Sequence, residues 1–96
     1  MEVLHNMKFL RGEIRNVEFE VISCENVDFN ISTASVEVYR DKFVKTIPCV
    51  INQHSISFSF DTNDFNDKYY TIIVTISIGT EIIKRKRDVE IEDVWV

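Results

Sequence analysis

Two histidines and two cysteines are formally enough to hold a zinc ion: His5, Cys24, Cys49 and His54. A structural zinc site draws its four ligands from closely spaced pairs, such as Cys-x-x-Cys or His-x-x-x-His. These four residues are scattered and form no such pair, so a zinc centre is not expected. The two cysteines read as free structural thiols in a reducing compartment, because a domain with an ample core can do without a disulfide.

Oxygen ligands are concentrated in Asp61-Thr62-Asn63-Asp64-Phe65-Asn66-Asp67. Such a loop could in principle bind calcium. It lacks the central glycine of the twelve-residue calcium loop, and Ile72 falls where the closing bidentate glutamate would stand. Asp and Asn also favour turns by bonding their own backbone, and that is the reading adopted, with weak calcium binding as the alternative. No metal or other cofactor is therefore expected.

Nucleophilic catalysis would need a serine on a glycine-flanked elbow and an oxyanion hole. The chain has no Gly-x-Ser-x-Gly, and its two glycines, Gly12 and Gly79, build no phosphate-cradling loop either. Glu18 and Glu20 resemble a catalytic carboxylate pair, but they alternate with Val17, Phe19 and Val21 and so belong to the wet side of a strand. The chain is read as a non-enzyme.

Two other features could make contacts. Lys84-Arg85-Lys86-Arg87 is a basic strip. If Gly79-Thr80 is a two-residue turn, Arg85 falls opposite Val74 and Arg87 opposite Ile72, on an apolar face. Either a bulge re-aims them, or the strand lies at an edge where the aliphatic stems cover apolar surface and the charged heads reach water. The functional alternative is a contact strip for an acidic partner, to which the terminal Trp95 could add an apolar anchor. Exposed Tyr39, Tyr69 and Trp95 are also candidates for stacking on a sugar.

These residues must be positioned by strands. In Tyr69–Ile78, Tyr70, Ile72, Val74, Ile76 and Ile78 share one parity and Tyr69, Thr71, Thr75 and Ser77 the other, the pattern of a half-buried strand. Ile56, Phe58 and Phe60 alternate as cleanly with Ser55, Ser57 and Ser59. Further strands are read around Val3–Phe9, Asn16–Val21, Ala34–Tyr39, Phe43–Ile51 and from Glu81 towards Trp95. Val27, Phe29 and Ile31 are core plugs in the connection before the third strand. Pro48 removes a ladder donor and marks its segment as an edge or an interrupted strand. At Ile14-Arg15 the parity breaks, which calls for a bulge or a strand start. Tyr69 or Tyr70 stands where immunoglobulin-like domains place a corner tyrosine. About seven short strands with frequent turns indicate an all-β, immunoglobulin-like two-sheet antiparallel sandwich, with a small β-barrel as the alternative.

The totals agree. Ninety-six residues, 45% hydrophobic, make one domain spanning 1–96 with a single core. The formal charge of −5 opposes binding to nucleic acid or an anionic membrane. No apolar run is long enough to span a bilayer, and Met1–Asn6 lacks the features of a signal peptide, so cytoplasmic expression is expected.

In order, Arg11-Gly12-Glu13 before Val17-Glu18-Phe19-Glu20-Val21, Phe29-Asn30-Ile31-Ser32-Thr33-Ala34 before the third strand, and the Tyr69-Tyr70 strand with its Gly79 hairpin form a pattern. It resembles the immunoglobulin-like N-terminal domain of phage baseplate upper proteins and related small phage and prophage tail proteins. The resemblance runs from about residue 8 to 92. Where that family carries a glycine before the corner tyrosine, this chain has Asp67-Lys68. The resemblance implies a virion structural module that acts in assembly through protein partners or self-association. A small carbohydrate-binding sandwich is the alternative.

Overall fold

The computed structural model describes residues 7–21 and 29–93. Its strands are β1 (Met7–Leu10), β2 (Ile14–Glu20), β3 (Thr33–Arg40), β4 (Lys42–Ile47), β5 (Cys49–Asn52), β6 (Ser55–Asp61), β7 (Tyr69–Ile78) and β8 (Glu81–Glu92), with one 3₁₀ turn at Thr62–Asp64. They form a five-stranded sheet ordered β1-β8-β7-β3-β4 and a three-stranded sheet ordered β2-β6-β5. Every pairing is antiparallel except β1 with β8. The architecture is therefore the immunoglobulin-like sandwich and not a closed barrel.

The alternation in Tyr69–Ile78 does what its chemistry requires. Tyr70, Ile72, Val74 and Ile76 are buried and Ile78 is partly so, facing Ile56, Phe58 and Phe60 from the other sheet. At roughly 1.5–3 kcal/mol per large apolar side chain, this interface is the main favourable term in folding. A row of rings fills one end: Phe9 stacks on Phe60 at 4.7 Å, Phe60 on Phe65 at 4.8 Å, and Phe65 meets Tyr70 edge-on at 5.0 Å. Tyr70 is the corner tyrosine, and its hydroxyl accepts a hydrogen bond from the Asp67 backbone N–H at 2.7 Å.

Phe43–Ile51 is two strands. Pro48 cannot donate to a ladder, and the chain uses that break to leave the five-stranded sheet as β4 and enter the three-stranded one as β5. The eighth strand comes from this crossing. Gly79 has φ +59° and Thr80 is not in the positive region, so the two-residue turn has its left-handed residue first. The hairpin pairs Ile78 with Glu81 and continues without a slip to Tyr69 and Glu90. At the start of β2 there is no bulge. The ladder with β6 runs evenly from Ile14 to Glu20, and Arg15 lies over the Phe9 ring at 5.7 Å. Phe29 and Ile31 pack on the core, whereas Val3, His5, Cys24, Val27 and Trp95 lie outside the described residues.

Candidate functional site

The even register of β7 and β8 separates the basic strip. Arg85 and Arg87 share a face with Val89 and Ile91, towards the other sheet; Lys84 and Lys86 point to the outer face. No bulge re-aims the arginines. Among the described residues, β1 pairs β8 only over Val89–Glu92, which leaves β7 as the sole partner of Glu81–Asp88. At this edge Arg87 lies over the Phe19 ring at 5.5 Å. Both arginines border a cleft of about 300 Å³ floored by Val74, Ile76 and Ile83. Aliphatic stems on apolar surface with heads at the rim account for two cations placed opposite Val74 and Ile72.

Several oxygens of the Asp61–Asp67 loop are engaged within the protein. Asp61 accepts from the backbone N–H of Asn63 at 2.9 Å and from its side-chain amide at 3.0 Å. Asp64 pairs with Lys45 at 3.0 Å and Asp67 with Arg40 at 3.1 Å. The carbonyls of Thr62, Phe65 and Asp67 all accept hydrogen bonds from the Arg11 guanidinium, whose Nε faces Asp93 at 3.4 Å. Thr62 is fully buried; its hydroxyl accepts from Gly12 N–H and donates to the Glu13 carbonyl. Arg11 and Thr62 are structural residues that the sequence reading missed, and their partners are about 50 positions away in the chain. The only local hint was the glycine beside Arg11, with φ +101°.

Of the four possible zinc ligands, two are described. The Cys49 thiol donates towards the Ala34 carbonyl at 3.5 Å, and burial raises its pKa above the ordinary value, which keeps it a thiol. His54 leans on the Phe29 ring at 4.6 Å. Among the described residues no three His, Cys, Asp or Glu side chains gather as metal ligands.

Two surface features remain. The first is the side of the sandwich where β4 and β5 form the free edges of their sheets. Phe43, Val44, Val50 and Ile51 are all exposed there, Val50 by 66%. The second is a groove of about 520 Å³ on the outer face of the five-stranded sheet, lined in part by Tyr39, Tyr69, Thr71, Asp88 and Glu90. The register explains the gathering: Tyr39 pairs with Thr71, Thr71 with Asp88, and Tyr69 with Glu90. Two of the three aromatics singled out from sequence thus share one groove. Glu90 is ion-paired to Lys8 at 3.4 Å. Burial pushes its pKa up, but the hydrogen bond and charge of Lys8, together with Glu92 and Lys68, outweigh this and hold it below the ordinary carboxylate value.

No protein-family model matches the chain, and no curated protein sequence does either. A solved structure, the endo-beta-1,4-mannanase from Thermotoga petrophila, is similar with a TM-score of 0.62 and 13% identity. The match covers 93% of this chain but only 18% of the mannanase chain. At that identity the likeness is one of fold alone.

Proposed function

We propose that the chain is a non-enzymatic interaction module that assembles with protein through the β4–β5 side of the sandwich, as a component of a phage or prophage tail or baseplate. The observation that carries this reading is the coincidence of two free sheet edges with four exposed large apolar side chains, Phe43, Val44, Val50 and Ile51. Scattered apolar residues are normal on a surface, but four large ones along two neighbouring unpaired strands are what a partner covers. The contact is made by side chains more than by strand addition. β5 is only four residues long, Pro48 interrupts the edge, and β4 carries a bulge opposite Val38–Tyr39.

The phage part of the reading rests on the resemblance carried by Arg11-Gly12-Glu13 and the Tyr69-Tyr70 strand. Light scattering over rising concentration, alone and with candidate phage tail and baseplate proteins, tests both parts. Association that Val50→Lys abolishes without lowering the melting temperature is the expected result. A strict monomer that binds none of those proteins would overturn the proposal.

A further inference from the structure

The groove on the outer face of the five-stranded sheet adjoins the apolar β4–β5 edge where the Tyr39 ring meets Phe43 edge-on at 5.7 Å, but it has a different chemistry. Its walls are Tyr39 on β3 and Tyr69 on β7. Tyr39 pairs with Thr71, so the two rings are diagonal neighbours with Thr71 beside both. Tyr69 is 60% exposed although its backbone is paired in the ladder, so the strand holds its ring out in water. Tyrosines on rigid strands offer wide amphipathic contact area at little cost in conformational entropy.

Polar groups stand next to those rings at fixed register. The Thr71 hydroxyl lies 3.5 Å from an oxygen of Asp88 and is able to donate to it, and Glu90 stands beside Tyr69. A carboxylate can accept from two neighbouring hydroxyls of a ligand at once. The charges around the groove cancel: Lys8, Arg40 and Lys68, whose ammonium lies over the Tyr69 ring at 5.5 Å, against Asp41, Asp88 and Glu90. All three cations are engaged, Lys8 with Glu90 at 3.4 Å, Arg40 with Asp67 at 3.1 Å and Lys68 with the Tyr69 ring. There is little positive field to capture a phosphate or sulfate, and the net charge of −5 repels one. The volume of about 520 Å³ lies within the roughly 300–1,000 Å³ typical of small-ligand sites.

A ligand for this groove needs flat apolar faces to lie on tyrosine, several hydroxyls to bond Thr71 and the carboxylates, and no charge. We propose that it binds a short neutral oligosaccharide, with Tyr69 and Tyr39 as stacking platforms and Thr71 and Asp88 bonding the sugar hydroxyls.

The test is an amide-shift titration of the full chain by NMR. The probes are cellotriose, mannotriose, maltotriose and diacetylchitobiose, with a sulfated heparin disaccharide and a dinucleotide as anionic counterparts. At least one neutral probe is expected to saturate with a dissociation constant of about 1 mM or tighter. Shifts should centre on Tyr39, Tyr69, Thr71 and Asp88. Tyr69→Ala should weaken binding roughly tenfold at unchanged melting temperature, the loss of one aromatic anchor. Thr71→Val, which keeps the shape and removes the hydroxyl, should also weaken it. Glu18→Ala on the opposite sheet and Val50→Lys on the edge should leave it intact, so the outcome is independent of the assembly reading. The proposal is overturned if no neutral probe shifts these residues at about 10 mM, if only anionic probes bind, or if Tyr69→Ala and Thr71→Val both bind as tightly as the parent.

Discussion

Replacing Arg11 by alanine removes one guanidinium from three backbone carbonyls, those of Thr62, Phe65 and Asp67, and from the Asp93 carboxylate. A hydrogen bond to a charged group contributes about 1.5–3 kcal/mol. Three such bonds cannot simply be summed, because the loop is at the surface and water can reach part of what is uncovered. The Asp93 pair is exposed and adds little. A net loss of about 2–3 kcal/mol is therefore expected. For a domain of this size each kcal/mol shifts the melting temperature by roughly 4–8 °C, so Arg11→Ala should melt about 10–20 °C lower. Calorimetry at neutral pH measures it directly. Arg11→Lys should recover only a minor part, since an ammonium cannot present a planar fork to three carbonyls. An alanine variant melting within about 2 °C of the parent would refute the clamp.

Val74→Asp should fail to fold. It places a carboxylate at a position 1% exposed, facing the opposite sheet, while the cross-strand Arg85 keeps its charged head at the exposed rim, and a soluble variant of native melting temperature would contradict the packing described. Tyr70→Phe removes the acceptor of the Asp67 N–H and should cost about 1–2 kcal/mol in urea unfolding at unchanged m-value. The Lys8–Glu90 pair makes a pH prediction. The Glu90 pKa is lowered in the folded state, so its contribution is fully present above the ordinary carboxylate pKa and is lost as pH falls through the depressed value. Lys8→Met should therefore lower the melting temperature at neutral pH, with the gap to the parent closing in acid; a gap that does not change with pH would refute it.

How far the sequence could be read depended on the range of the interaction. Tyr69–Ile78 and Ser55–Phe60 were legible because burial on one face of a strand imposes a period of two that needs no distant partner. The Gly79-Thr80 turn fixed the register so tightly that Arg85 opposite Val74 followed from counting. Pro48 announced an interruption, yet nothing local said that the chain would change sheets there. The Arg11 clamp was illegible because backbone carbonyls leave no mark in sequence and the loop that supplies them lies far along the chain. The groove escaped for a related reason. Tyr39 and Tyr69 were visible as aromatics, but their meeting depends on the pairing of Tyr39 with Thr71, which no turn sets.

The one parallel pairing among the described residues, Met7–Leu10 alongside Val89–Glu92, has a mechanical meaning. Tension that draws the start of β1 and the end of β8 apart along the strand axis loads this ladder in shear, so its bonds share the load and cannot open one by one. An antiparallel pair held at adjacent ends would peel like a zipper. A module joined to its neighbours through these two strands would resist stretching until the whole ladder yields at once.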